Sequence, residues 1–104
     1  MNRSDFILEL SKLTEDKKIT WHPIEIFKSN IEMGDGYYMI TKSGLKITVF
    51  DFYSNSNLHF ELIITKELKL LHSFKEEYGL DDLLYKIQNS ILNYEALLID
   101  CVLE

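Results

Sequence analysis

The stretch YYMITKSGLKITVFDFYSNSNLHFELIITKELKLLHSF, residues 37–74, decides the fold. Apolar residues alternate along it in runs broken by short polar turns, the period-two pattern of strands with one buried face. Residues 37–41, 45–53, 58–66 and 68–74 read as four strands. If Ser43-Gly44 is a two-residue hairpin turn, Ile40 lies opposite Ile47 and Tyr38 opposite Val49. If Ser54-Asn55-Ser56-Asn57 is a four-residue loop, Val49 lies opposite Leu62 and Ile47 opposite Ile64. One face then collects Tyr38, Ile40, Leu45, Ile47, Val49, Phe60, Leu62 and Ile64. The two registers agree with one another, as a buried face requires.

Outward from this centre the period changes. Phe6, Ile7, Leu10 and Leu13 recur at three- and four-residue intervals, giving a helix with one apolar stripe. Ser4 or Asn2 caps it, and Asp5 suits the positive end of its dipole. Thr14-Glu15-Asp16-Lys17-Lys18 stops it. Ile19-Thr20-Trp21 reads as extended, and Pro23 holds His22 out of helical geometry. Residues 24–33 read as an edge strand or a loop, and Gly34-Asp35-Gly36 as a turn. Beyond the sheet, Leu80, Leu83, Leu84, Ile87, Ile91 and Leu92 return to helical spacing, with Asp81 and Asp82 in the first turn. Asn93 is expected to cap a last short helix carrying Leu97, Leu98, Cys101 and Val102. The expectation is a single α+β domain over residues 1–104: a two-layer arrangement of an antiparallel meander of about four strands, with an N-terminal helix and C-terminal helices on one face.

Composition narrows the function classes. The 104 residues are 46% hydrophobic and 27% charged, the balance of a globular chain. The net charge of −6 disfavours direct nucleic-acid binding, which draws its affinity from Lys and Arg displacing counterions. Cys101 is the only cysteine, so no intramolecular disulfide forms and a reducing cytoplasm is expected. In the apolar run around it, a buried, inert thiol is expected. The first residues lack the pattern of a signal peptide, and no apolar run reaches the length that spans a bilayer. A soluble cytoplasmic protein without a membrane partner follows.

Candidate chemistry is sparse. The same registers send Tyr37, Met39, Phe50, Phe52 and Ile63 to the outer sheet face, among Lys46, Thr48, His59 and Glu61. An outward face is normally polar. One half apolar, with three aromatics, points to a partner-binding or homodimer surface. His59 and Glu61 share a strand face. A turn at Lys66-Glu67 would bring His72 opposite Glu61 and complete a two-histidine, one-carboxylate set suited to iron or zinc. A one-residue shift instead restores the apolar match and sends His72 to the other face, and burial favours the shift. No metal and no cofactor are expected. His22, between Trp21 and Pro23, reads as a packed or surface residue. Asp51 falls at core-facing parity near a strand end, with no second carboxylate to make an acid/base pair. Gly34-x-Gly36 lacks the lysine and helix of a phosphate loop, and no glycine-flanked serine forms a nucleophile elbow. Glu76, Glu77, Asp81 and Asp82 form an acidic rim that would suit a basic surface.

The order of a short helix, the start Lys18-Ile19-Thr20-Trp21, a meander and a Leu-rich C-terminal helix resembles small proteins of low-GC Gram-positive bacteria and their prophages. The resemblance brings no activity and no functional residues. It implies a mobile-element accessory protein, a class in which inhibitors of host defence proteins are common. The expected function is a non-enzymatic module that binds a protein, or itself, by covering a surface. The alternatives are a small metal-dependent or ligand-binding enzyme using His59, Glu61 and His72, and a homodimeric structural domain.

Overall fold

A computed structural model describes residues 2–24 and 33–103, the side chains of residues 33–35 and 92–103 excepted. Helix α1 (Arg3–Glu15) opens the chain. Strands β1 (His22–Pro23), β2 (Met33–Ile40), β3 (Lys46–Ser54), β4 (Asn57–Lys66) and β5 (Lys69–Lys75) follow, and helix α2 (Leu80–Leu103) closes it. The strands form one open antiparallel sheet in chain order, so every hydrogen-bonded neighbour is also a sequence neighbour. The α+β class, the meander and the flanking helices match the sequence reading.

Asn2 caps α1, its Oδ1 accepting from the Asp5 N–H at 2.8 Å. At the other end Lys17 adopts φ +59. This lets the Lys18 N–H reach the Leu13 carbonyl at 2.9 Å and the Lys17 N–H reach Thr14 at 3.1 Å. These two bonds satisfy carbonyls that the end of a helix leaves unpaired. Ile7, Leu10, Ser11 and Thr14 form the buried stripe. Leu80, Leu83, Leu84 and Ile87 do the same for the first half of α2. Both stripes meet Ile47, Val49, Leu62, Ile64 and Phe74 on one face of the sheet, with Trp21 completing the core. Trp21 is only 4% exposed. Its indole N–H donates to the Thr14 hydroxyl at 3.0 Å, and that hydroxyl donates to the Leu10 carbonyl at 2.7 Å. Gly79 turns the chain into α2 at φ +93, and a Cβ there would stand 3.3 Å from Ile7 Cγ2.

The three hairpins decide which face each strand presents. Between β3 and β4 the pairing of Val49 with Leu62 and Ile47 with Ile64 is as the sequence predicts, although the loop is shorter. Ser54 pairs with Asn57, leaving Asn55 and Ser56 as a two-residue turn with φ of 53° and 65°. Removing one residue from each side of a loop leaves the register unchanged.

The β2–β3 hairpin differs by one residue. Thr41 and Leu45 bracket a three-residue loop, in which the Gly44 N–H bonds the Thr41 carbonyl at 3.0 Å and Gly44 takes φ +88. This is a turn followed by a left-handed glycine, the usual form of a three-residue hairpin loop. Tyr37 therefore faces Val49, and Met39 faces Ile47. Every β2 side chain from Tyr37 to Ile40 is on the opposite face from the one expected, because strand side chains alternate with period two. Tyr37 and Met39 pack on the core, whereas Ile40 is 60% exposed.

Four further expectations change. Among the described residues the sheet has five strands, because His22–Pro23 pairs with Tyr38 and Tyr37 as a short strand beside β2. Proline suits an edge, since it has no N–H to give. Gly34-Asp35-Gly36 lies inside β2, where the register slips between Met33 and Gly36. The last hairpin turns at Glu67 and Leu68, and a second slip follows at Ile64 and Thr65. Finally, α2 runs through Asn93 as one helix, so no separate capped helix follows. The expected edge strand or loop falls mainly on residues 25–32, outside the described residues, and so does the packing expected for the Cys101 side chain.

Candidate interaction face

Both helices lie against the face that holds Val49 and Leu62. The face behind it is built in rows by the cross-strand pairs. One row runs Ile40, Lys46, Thr65, Leu70, and the next Tyr38, Thr48, Ile63, Ser73. A third runs Gly36, Phe50, Glu61, Lys75, and a shorter one pairs Phe52 with His59. Of the residues expected to bind a partner, Phe50, Phe52 and Ile63 are here and half-buried. Tyr37 and Met39 are not, because of the three-residue loop. Tyr38, Ile40 and Leu70 take their place. Sequence reasoning assigned Tyr38 and Ile40 to the core, and the Thr41-to-Leu45 spacing around Gly44 is the signal that would have moved them.

The aromatic groups are connected. Phe50 and Phe52, two positions apart on β3, bring their rings to 5.9 Å, and Phe52 stacks on His59 at 5.2 Å and 23°. Nδ1 of His59 lies 2.8 Å from Glu76 Oε1. The same oxygen accepts the Phe60 N–H at 3.2 Å, and the Glu76 N–H returns a bond to the Phe60 carbonyl at 3.0 Å. Glu76 reaches this position at φ +56, a conformation costly for a non-glycine residue. At the other end of the face, Tyr38 receives the His22 ring at 5.4 Å and the Lys46 ammonium at 4.6 Å. Thr48, between these groups, is almost fully covered. The result is an apolar and aromatic surface whose polar groups, Lys46, Glu61, His59 and Lys75, stand among the rings.

This arrangement can bind, but it does not assemble the proposed metal set. His72 pairs with Ile64, on the face opposite His59 and Glu61, and its ring lies 6.5 Å from Phe74. Among the described residues, no three histidine, cysteine or acidic side chains converge as ligands. Asp51 is half-buried opposite Phe60. The acidic rim is occupied by local partners. Glu77 meets Arg3 at 3.2 Å, and Glu76 holds His59. Lys86 lies 3.0 Å from both Glu15 and Asp82, and its hydrogen bonds, first to Glu15 and then to Asp82, raise its pKa above 10.5. Among the described residues, no helix is long and apolar enough to cross a membrane. Comparison with known proteins finds no matching family model, no similar curated protein and no similar solved structure.

Proposed function

We propose that this chain is a non-enzymatic binding module that acts by covering a protein surface with the outer face of its sheet. The observation that carries the reading is the connected surface of Tyr38, Phe50, Phe52 and Ile63 on the side of the sheet away from both helices. Aromatic residues are enriched where interfaces are fully buried, and a sheet face of this composition is costly to leave in water. The working site is cytoplasmic, with no membrane and no nucleic-acid partner, in keeping with the net charge of −6. The resemblance to prophage proteins extends the reading to an inhibitor of a host defence protein, and that extension rests on the resemblance alone. An enzyme built on His59, Glu61 and His72 has the geometry against it, since His72 faces away from the other two.

The test is the double change Phe50→Ser with Phe52→Ser. It should keep the circular dichroism spectrum and a cooperative melt while abolishing association, whether with itself or with a protein captured from lysate. Loss of the cooperative melt would show that the two rings are core and would overturn the reading.

A further inference from the structure

We propose that the groove between α1 and the last residues of β2 binds a small amphipathic anion, a carboxylate carried on an aliphatic chain. The groove measures about 680 Å³, within the roughly 300–1,000 Å³ usual for small-molecule sites. The apolar side chains of Phe6, Leu10, Leu13, Met39 and Ile47 line it, and Lys18, Lys42 and His22 stand along it exposed. From Phe6 to Leu13 the apolar wall runs about 10 Å along α1. The groove lies at the opposite end of β2 from Ile24 and Met33, and it takes no residue from the Phe50–Phe52 surface.

The sheet opens at this point. β1 pairs Pro23 with Tyr37 and His22 with Tyr38, and the pairing goes no further. The same register continued would set Thr20 opposite Ile40 and then Lys18 opposite Lys42, where like charges repel. The Thr41 N–H bonds the Leu45 carbonyl at 2.9 Å, so Thr41 turns its backbone groups toward β3. By alternation Ile40 turns its N–H and C=O away from β3, to the side where β1 has ended. Among the described residues neither group has a partner.

Charge selects the ligand. The chain carries 17 acidic against 11 basic side chains, yet both residues of fixed charge that line the groove are lysines. Among the described residues, neither Lys18 nor Lys42 has a carboxylate within ion-pair distance. A carboxylate held between the two ammoniums relieves their repulsion and accepts the Ile40 N–H, contacts that its charge strengthens. Its aliphatic chain then covers the apolar wall and takes that surface out of water.

Isothermal titration calorimetry of the full chain with decanoate and with decylamine, ligands of equal length and opposite charge, tests the proposal. Decanoate should bind saturably and decylamine should not, although the net charge of −6 by itself favours the amine. Lys18→Gln with Lys42→Gln removes two exposed charges, so the cooperative melt should persist while decanoate binding weakens at least about tenfold. Thr20→Phe, at an exposed position on the rim, should abolish binding by filling the opening. Absence of saturable decanoate binding overturns the proposal, as does equal binding of decylamine, or decanoate binding that both variants leave intact. Sedimentation of the chain with phosphatidylglycerol vesicles, without binding of free decanoate, overturns it too, by moving the anion to a lipid surface.

Discussion

Replacing Thr14 by Val tests the polar link at the centre of the core. The substitution keeps the shape and β-branching of the side chain and changes helix propensity little, because Val and Thr rank together. What it removes is one oxygen. That oxygen accepts the Trp21 indole N–H at 3.0 Å and donates to the Leu10 carbonyl at 2.7 Å. The Leu10 carbonyl loses an additional donor, whereas the indole N–H is left buried with no acceptor. A stranded buried donor costs about 1–3 kcal/mol, a sizeable share of the roughly 5–15 kcal/mol that holds a domain. At 4–8 °C per kcal/mol for a chain of this size, the melting temperature should fall by about 5–20 °C. Thr14→Ser, which keeps the hydroxyl, should recover most of the loss. The decisive measurement is a double-mutant cycle with Trp21→Phe, which has no N–H to strand. Thr14→Val should cost at least about 0.5 kcal/mol less in that background. An equal cost in both backgrounds, or a Thr14→Val melt that superimposes on wild type, would refute the claim that this hydroxyl serves Trp21.

Gly79→Ala should destabilise by about 1–3 kcal/mol, since it demands a left-handed alanine and pushes a methyl within 3.3 Å of Ile7; urea midpoints at unchanged slope are the check. Lys17→Gly should stabilise by about 0.5–1 kcal/mol, because glycine adopts the φ of +59 at the end of α1 without strain, and a higher melting temperature would show it. Lys86 titrates above its unfolded value of 10.5, so its contribution is fully present below that pH and is lost as pH rises through the folded pKa. The stability gap between wild type and Lys86→Met, from urea unfolding at neutral and at strongly alkaline pH, should therefore close in alkali.

Where pattern alone carries information, the fold was legible. Helix stripes at Ile7 and Leu10, or at Leu80, Leu83 and Ile87, report burial directly. The β3–β4 register was legible because a symmetric error in loop length cancels. The β2–β3 register was not, since a two-residue and a three-residue loop both end at Gly44 and differ only in whether Lys42 belongs to the loop, and that difference flips four side chains. The candidate face inherited this error: Phe50, Phe52 and Ile63 were placed by the robust hairpin, Tyr37 and Met39 by the fragile one. The slip between β4 and β5 gave no sequence signal, because its turn uses Glu67 and Leu68 rather than glycine or asparagine. Thr14 was hidden differently. A threonine at the end of a helical stripe reads as a stop, and only the nearby Trp21, whose N–H needs an acceptor when buried, hints at a buried role.

The helix layer also bears on the order in which the chain takes shape as it is synthesised. Each strand of the meander finds its neighbour within a few residues of leaving the ribosome, whereas α1 must wait. Its contacts run to Phe74, Gly79 and Glu77, the last 74 positions after Arg3. A 13-residue helix is marginal on its own in water. At the usual 5–20 residues per second, the first segment made therefore spends roughly 4–15 s without the surface that holds it. During that interval the growing sheet displays the face that α1 and α2 later cover as well as the face that carries Phe50 and Phe52. The first face is closed only when Leu80–Leu103, the last element made, is free to fold onto it beside α1.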